Sequence, residues 1–266
     1  MSGARTLRGV RASLILCLLA LALAPAPAGA QAPNAPDAVV AAGVADPLAG
    51  LQAPGDTVTL SDERTTTRWA HAQELAKIRA SPTTGARTIT RLRYLTEDRA
   101  AEVYVVLGAR LDANGLAWLQ IRIPMRPNGR VGWVRSESLS QLYVVRTRLV
   151  IDRGGLRATL FETGKRIWQA PVGIGKPGTP TPRGVFWVRE RLKGLGTGGA
   201  YGPWAFGTSA YANFSDWPNG GVVGIHGTNE PGLVPGRPSH GCVRVRNDKI
   251  RRLARLMPIG TPIQVR

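Results

Sequence analysis

The sequence predicts a mainly β protein, in which a small N-terminal β-barrel precedes a second β-rich unit that contains one short helix. Short apolar runs, some alternating with polar residues, are separated by turn dipeptides such as Asn114-Gly115, Asn128-Gly129 and Gly154-Gly155. This pattern is typical of hairpins. A helical apolar spacing of i, i+3, i+4 and i+7 occurs once near the end of the sequence, from Ile250 to Met257.

The first 65 residues are predicted to be a processed segment and a tether. Residues 1–30 have the pattern of a secretory signal peptide: arginines up to Arg11, an apolar stretch over 13–24, and small residues at 28–30. The apolar stretch is shorter than the roughly 20 residues that span a membrane, which favours cleavage over retention as an anchor. Residues 31–65 are rich in Ala, Pro and Gly and are interpreted as a flexible linker. We expect an exported protein of the periplasm or cell wall, with no integral membrane domain after cleavage.

The net charge of the chain limits the kinds of partner that fit it. A formal net charge of +18 over 266 residues makes nucleic acid the first partner to consider. The basic residues are scattered, however, without a run of five, and export separates the chain from cellular nucleic acid. We therefore expect no nucleic acid partner and favour an anionic partner outside the membrane, such as a carboxylate-rich wall polymer.

Residues 66–141 are predicted to form the small barrel, because strand patterns recur there at short intervals. Strands are expected at 103–107, 118–123 and 131–134. Residues 69–77 fit a helix equally well. No catalytic constellation occurs in this unit, so we expect it to contribute location rather than chemistry.

Three sequence features of this unit are shared with a known kind of module. An Arg-x-x-Pro strand end lies at 79–82, a tryptophan precedes a hairpin at Trp118, and Gly-Trp-Val at 132–134 closes the unit. The order resembles bacterial Src-homology-three-like domains, and the resemblance implies a module that binds wall peptides. Burial in the barrel core is the alternative role for Trp118 and Trp133, since large aromatic side chains mostly serve burial.

Residues 142–266 are predicted to be the second unit, with a rigid turn over 179–184. Asn247 is expected to cap its short helix, with Asp248 in the first turn and Pro258 after the end. Strands are expected at 149–152, 156–161, 167–172, 185–188 and 263–265.

Cys242 is the single cysteine of the predicted mature chain, because Cys17 lies in the signal segment. Exported proteins normally keep cysteines in pairs, so a lone thiol near histidines indicates nucleophilic catalysis. His240 points the same way as the thiol if the chain is extended, whereas His226 requires tertiary folding to reach it. Amides around Gly241 and Cys242 are candidate oxyanion donors.

Two other interpretations of these residues are open at this point. Cys242, His226 and His240 are all types that bind zinc, but three ligands from two loops without an acidic fourth make an incomplete site. Cys242 also fits a buried structural cysteine. His71 lies outside the cluster. We expect no metal and no cofactor.

Two linked motifs surround Cys242. Ile225-His226-Gly227-Thr228 is followed, after a loop rich in glycine and proline, by Ser239-His240-Gly241-Cys242-Val243-Arg244. An earlier Thr181-Pro182-Arg183-Gly184 precedes Phe186. Together they resemble the signature of bacterial L,D-transpeptidase catalytic domains of the YkuD type, and the resemblance spans nearly all of 142–266. It implies a β-rich catalytic fold.

The resemblance also implies roles for the residues of the second motif. Cys242 is the expected nucleophile and His226, from the first motif, the expected general base. The amides near Gly241 and Cys242 are the expected oxyanion donors. Ser239 and His240 are expected to shape and orient the site.

Arg244, Gly227 and Thr228 are the expected substrate-binding residues, and Arg244 would hold a substrate carboxylate. The implied partners are peptidoglycan stem peptides. Attack of the thiolate on the third residue of one stem would release terminal D-Ala, and the amine of a second stem would then attack the thioester to form a 3→3 cross-link. An L,D-carboxypeptidase and a non-catalytic wall-binding protein are the alternatives. The sequence indicates no oligomeric state.

Glycines alternate with aromatic residues between positions 189 and 220. Tyr201, Phe206, Phe214 and Trp217 belong to this stretch. Glycine hinges between aromatic side chains fit a lid over the thiol, and burial in the core is an equal alternative for each ring.

Overall fold

The computed structural model describes residues 39–40, 46–193, 198–214 and 218–266. Within these ranges the chain forms two large β-sheets and one α-helix, which confirms the mainly β prediction. The predicted signal peptide lies outside the described residues, as does much of the predicted linker. No helix in the described ranges has the length and apolar character that crossing a membrane requires.

The first sheet contains nine strands. They are β1 Val39–Val40, β2 Thr57–Thr59, β3 Thr67–Ala70, β4 Lys77–Arg79, β5 Thr88–Arg91, β6 Tyr104–Leu111, β7 Ala117–Arg122, β8 Val131–Arg135 and β9 Tyr143–Val145. Their order is β1-β9-β3-β6-β7-β8-β4-β5, with β2 paired to β6, and the pairs are antiparallel. Closure of this sheet into a barrel, and the resemblance to Src-homology-three-like domains, stay predictions.

Burial alternates along β8, as expected when one face of a strand packs on a core. Val134 is fully buried, whereas its neighbour Trp133 is half-buried. Trp118 is 1% exposed and its Nε1 donates to Asp112 Oδ2 at 2.9 Å. Of the two roles open to Trp118, the structure therefore shows the core role.

Three local expectations differ from the structure. Residues 67–70 form β3, β4 begins at Lys77 and the residues between them are not helical, so the helical reading of 69–77 is wrong. The described part of the predicted linker supplies β2 and the buried side chain of Leu60 to the first sheet. At the other end, β9 pairs with β3 and β1, so Tyr143–Val145 also belong to the first sheet.

The second sheet contains ten strands. They are β10 Thr147–Asp152, β11 Arg157–Glu162, β12 Lys165–Pro171, β13 Gly173–Gly175, β14 Gly184–Lys193, β15 Trp204–Tyr211, β16 Val222–His226, β17 Gly236–Ser239, β18 Val243–Arg244 and β19 Pro262–Val265. Their order is β12-β11-β10-β19-β14-β15-β16-β18-β13-β17. Three of the pairs are parallel: β10 with β19, β16 with β18, and β13 with β17.

The helix, α1 Asn247–Leu256, packs against this sheet with the predicted face. Ile250, Leu253, Ala254 and Met257 are each at most 1% exposed. The predicted cap is wrong: Arg246 occupies the N-cap position, without a side-chain cap bond. The amide oxygen of Asn247 is used elsewhere, because it accepts a hydrogen bond from Thr228 N at 2.9 Å.

The two sheets share a buried apolar cluster. Trp69, Val103, Val105 and Val145 of the first sheet pack with Trp187 of the second. Trp187 Nε1 also donates to the carbonyl oxygen of Val103 at 2.8 Å. The two sheets are therefore joined by a core rather than by a linker.

A buried ion cluster lies beside this shared core. Arg189 of β14 and Glu102 from the segment before β6 both have fully buried side chains, and Arg189 Nη2 lies 2.5 Å from Glu102 Oε2. Arg189 Nη2 also contacts Glu97 at 2.8 Å, and Arg93 Nε contacts Glu102 at 2.8 Å. Burial acts to raise the pKa of Glu97, but the charge of Arg189 and the hydroxyl of Tyr211 outweigh it and lower that pKa to about 2.

We expect Arg189→Met to lower the free energy of unfolding by about 3 kcal/mol or more, because it leaves the buried Glu102 carboxylate without its closest cation. Chemical denaturation measures the loss. Lys249→Met is the control, since it breaks the exposed pair with Asp248 and should change stability by less than about 1 kcal/mol. Equal effects of the two substitutions would contradict the assignment.

Candidate active site

A cavity of about 140 Å³ opens beside Cys242 in the second sheet. Its lining includes Cys242, His226, Ser239, His240 and Arg244, so the fold gathers five of the predicted site residues around one space. The other three predicted residues, Gly241, Gly227 and Thr228, adjoin this lining in the chain.

Two parallel strands bring the thiol to the histidine. β16 pairs with β18 so that Ile225 lies opposite Val243 and His226 opposite Arg244. Gly224 therefore comes next to Cys242, and its N–H donates to the sulfur at 3.4 Å. A Cβ atom placed on Gly224 would lie 3.8 Å from His226 Cδ2 and 4.0 Å from Cys242 Sγ. The imidazole and the thiol thus face the same small space over a glycine.

The side chain of His226 is buried and held in one orientation. Its Nδ1 lies 2.6 Å from the carbonyl oxygen of Gly227, which can only accept, so we assign the proton to Nδ1 and the lone pair to Nε2. Burial lowers its pKa from 6.5 to about 4, with the charge of Arg244 acting in the same direction and the Gly227 carbonyl opposing. At neutral pH the ring is therefore an uncharged base.

Cys242 rests as a thiol. Burial raises its pKa, while the Gly224 N–H and the Arg244 charge oppose that rise. An uncharged thiol beside an uncharged imidazole differs from a preformed thiolate–imidazolium pair. The proton must then leave the sulfur as attack begins, which makes an adjacent base essential.

The loop that carries Cys242 is fixed by two hydroxyl groups. Ser239 Oγ donates to the Cys242 carbonyl at 2.6 Å and accepts from Gly241 N at 3.1 Å. Thr181 Oγ1 donates to the Gly241 carbonyl at 2.7 Å and accepts from Gly175 N at 3.0 Å. Gly241 has φ +125°, a conformation that residues with a Cβ rarely adopt. The amide of Gly241, an expected oxyanion donor, is thus bonded to Ser239.

A helix residue holds the turn after His226. Asn247 Oδ1 accepts from Thr228 N at 2.9 Å, and a Cβ atom on Gly227 would lie 2.4 Å from that oxygen. Thr228 is 1% exposed, and its hydroxyl accepts from Glu230 N at 3.0 Å. Gly227 and Thr228 therefore sit behind the cavity and not in its lining. Asn247 was missed as a site residue, because a helix-start asparagine more often signals a cap.

Arg244 lies at the cavity with an acidic partner already in place. Its Nη1 donates to Glu230 Oε2 at 2.5 Å, and the Glu230 side chain is 51% exposed. The Nε atom of Arg244 is buried and has no hydrogen-bond partner among the described residues. A substrate carboxylate would have to join or displace Glu230.

His240 is exposed at the cavity, and its ring nitrogen Nε2 lies 3.0 Å from the ammonium group of Lys176. Because an ammonium group only donates, Nε2 accepts in this pair. The part of the chain that the structure describes contains no group of three or more His, Cys, Asp and Glu residues suited to a metal ion.

Some of the aromatic residues between 189 and 220 lie at the cavity and others in the core, while the lid itself stays a prediction. Tyr201 is 48% exposed and packs edge-on against the His226 ring, with 4.8 Å between ring centroids. Phe214 also lines the cavity, whereas Phe206 is fully buried in the core. Trp217 lies outside the described residues.

We expect the His226 ring to titrate with a midpoint near pH 4, because burial disfavours its charged form. NMR of the ring carbons in ¹³C-histidine-labelled protein measures the midpoint, and a Cys242→Ala sample controls for coupling to the thiol. A midpoint at or above pH 6.5 would mean that the resting site is a thiolate–imidazolium pair.

Comparison with known proteins gives the same region. Residues 146–265 match the YkuD family model, described as the L,D-transpeptidase catalytic domain. A Bacillus licheniformis protein named as an L,D-transpeptidase, YkuD, is 30% identical over 118 residues, covering 44% of this chain and 64% of that protein. A Salmonella typhimurium protein named as an L,D-transpeptidase, ErfK/SrfK, is 30% identical over 140 residues, covering 46% and 44%. The chain thus spans less than two thirds of the length of both relatives.

Parts of this chain are also similar to solved structures. The L,D-transpeptidase of Mycobacterium smegmatis has 17% sequence identity and a TM-score of 0.38, over 56% of this chain and 90% of that chain. The catalytic domain of the Enterococcus faecium L,D-transpeptidase has 25% identity and a TM-score of 0.34, over 45% and 96%. By the family match, residues 146–265, which contain every predicted site residue, are similar to L,D-transpeptidase catalytic domains.

Proposed function

We propose that this protein is an exported peptidoglycan L,D-transpeptidase that forms 3→3 cross-links by cysteine acyl transfer. The observation that carries the proposal is the placement of a half-buried thiol and an uncharged buried imidazole beside Gly224, at one cavity. The family match over 146–265 supports the same reaction class. The signal pattern of residues 1–30 supports an activity outside the cytoplasmic membrane.

The first half-reaction forms a thioester. His226 Nε2 takes the proton of the Cys242 thiol as sulfur attacks the carbonyl carbon of the third stem residue. The bond to terminal D-Ala then breaks, and the leaving amine takes the proton from the His226 imidazolium. Because the resting thiol and imidazole are both uncharged, the separate charges on them develop only as attack begins.

The second half-reaction forms the cross-link. The side-chain amine of a second stem attacks the thioester carbonyl, and its proton passes to His226 as the C–S bond breaks. The sulfur leaves as a thiolate, which the Gly224 N–H stabilises, and it recovers its proton from the imidazolium. In both steps the bond that forms is balanced by one that breaks, and the scheme needs no cofactor.

We assign the oxyanion to the backbone N–H of Cys242. The neighbouring Gly241 N–H is bonded to Ser239 Oγ, so it supports the loop rather than the reacting oxygen. Preorganised amides are effective because they need no reorientation in the transition state. Ser239 and Thr181 keep this amide in place through their bonds to the carbonyls of Cys242 and Gly241.

Substrate recognition is assigned to the cationic side of the cavity. Arg244, together with the Lys176–His240 pair, presents positive charge there, and stem peptides carry carboxylates. Gly227 and Thr228 support the site by shaping the turn after His226, so direct contact with substrate is proposed for Arg244 alone of the three.

We expect purified protein to gain the mass of one imipenem molecule at Cys242, and Cys242→Ser to gain none. Intact-protein mass spectrometry measures both, with circular dichroism to show that the variant is folded. His226→Ala should slow acylation by roughly 10²–10⁴-fold, whereas His71→Ala should not, because the His71 ring bonds to the Glu102 carbonyl in the first sheet. Acylation of folded Cys242→Ser would remove the nucleophile assignment.

Incubation with tetrapeptide-stem wall fragments should yield 3→3 cross-linked dimers with release of D-Ala, because an amine acceptor competes with water for the thioester. Mass spectrometry of the fragments measures the products. Tripeptide stems without dimers would assign an L,D-carboxypeptidase instead. Binding of fragments without any product would assign a non-catalytic wall-binding protein.

A further inference from the structure

We propose that Arg126 and Asn128, from the loop between β7 and β8 of the first sheet, position one wall of the catalytic cavity. The N-terminal unit would then affect the acylation of Cys242, in addition to its expected role in locating the protein at the wall. The inference rests on the proposed function, because its readout is acylation of Cys242.

The guanidinium group of Arg126 donates hydrogen bonds to three backbone carbonyl groups in the part of the chain that forms the second sheet. Its Nη2 donates to Ala212 O at 3.1 Å, to Phe214 O at 2.9 Å and to Gly220 O at 2.7 Å. Its Nε also lies 3.3 Å from Ala212 O. The group lies over the ring of Tyr211, with 4.7 Å from Cζ to the ring centroid. One cation thus links Ala212 and Phe214 to Gly220.

Asn128 bonds to the backbone of Tyr211, the residue directly before Ala212. Its Oδ1 accepts from Tyr211 N at 3.0 Å, and its Nδ2 donates to Tyr211 O at 2.8 Å. The side-chain amide therefore takes the place that the backbone of a neighbouring strand would take at the end of β15. Both groups of the Tyr211 peptide backbone are satisfied by the first sheet.

The residues held in this way form one wall of the cavity. Ala212, Phe214 and Gly221 line it. Ala212 Cβ lies 3.8 Å from the position of a Cβ atom on Gly241, next to the nucleophile. Ala212 N donates to Gly221 O at 2.9 Å, which joins two residues of this wall. A shift of the wall would therefore change the space that an acyl donor occupies.

Gly221 lies very close to Arg126 and Phe214. It has φ +75°, and a Cβ atom there would lie 2.4 Å from Phe214 O and 2.8 Å from Arg126 Nη2. Only a residue without a side chain lets the chain pass so near the guanidinium. Because Arg has a planar fork of five donors, it can serve several carbonyls at once, whereas Lys concentrates its charge at one point.

This arrangement distinguishes a bulky acyl donor from a small thiol reagent. The bonds made by Arg126 and Asn128 do not reach Cys242, Gly224 or His226. The intrinsic reactivity of the thiol should therefore survive their loss, while binding of a molecule that fills the cavity should not.

The experiment uses the mature full-length chain with Arg126→Met, Arg126→Lys and Asn128→Ala. Arg130→Met is the matched control, because Arg130 is an exposed arginine of the same loop. Second-order rates are measured for acylation of Cys242 by imipenem and for its alkylation by iodoacetamide, with thermal unfolding of each variant. We expect Arg126→Met and Asn128→Ala to lower the imipenem rate at least tenfold and the iodoacetamide rate less than twofold. Arg126→Lys should fall between, and Arg130→Met should match the unsubstituted protein.

Imipenem rates within twofold of the unsubstituted protein in folded Arg126→Met or Asn128→Ala would overturn the inference and leave the proposed function intact. Equal losses in both reactions would also overturn it, because they indicate general damage to the fold. If Arg126→Met does not fold, Asn128→Ala and Arg126→Lys decide by the same criteria. Failure of the unsubstituted protein to react with imipenem would instead remove the proposed function, and the inference with it.

Discussion

The backbone hydrogen bonds between β16 and β18 hold His226 and Cys242 beside the same cavity. β18 contains only two residues, so little pairing of its own specifies the register in which it lies. A slip of one residue would turn each of its side chains to the opposite face and would take Cys242 away from Gly224. The position of Cys242 relative to Gly224 and His226 therefore depends on this register.

The contacts that protect the register come from distant parts of the chain. Thr181 reaches the Gly241 carbonyl from the turn before β14, and Asn247 reaches the Thr228 amide from the first residue of α1. Thr181 thus fixes the turn just before β18, and Asn247 fixes the turn shortly after β16. Cys242 lies between Gly241 and β18 and lines the cavity.

Local patterns predicted the features that depend on neighbouring residues. The apolar face of α1 follows from spacing alone, and the motifs around His226 and Cys242 marked the residues that the fold brings to one cavity. The partners of Asn247 and Asn128 were not predictable in this way. Both asparagines carry strong local signals, for a helix cap and a turn, but their side-chain amides bond to residues far away in the chain. Likewise, β2 was read as linker because a strand of three residues leaves almost no periodic pattern.

The buried uncharged imidazole of His226 links catalysis to the folding equilibrium. Its pKa is about 4 in the folded chain and 6.5 as the ordinary value, so between these pH values the unfolded chain binds a proton that the folded chain does not. The contribution of this group to stability is complete above about pH 6.5 and is lost progressively as the pH falls toward 4, by roughly 3 kcal/mol in total. Acidification would thus deplete the folded population while the surviving molecules still carry a competent base. Tolerance of acid would then be set by the reserve of folding free energy and not by the ionisation of the His226 ring.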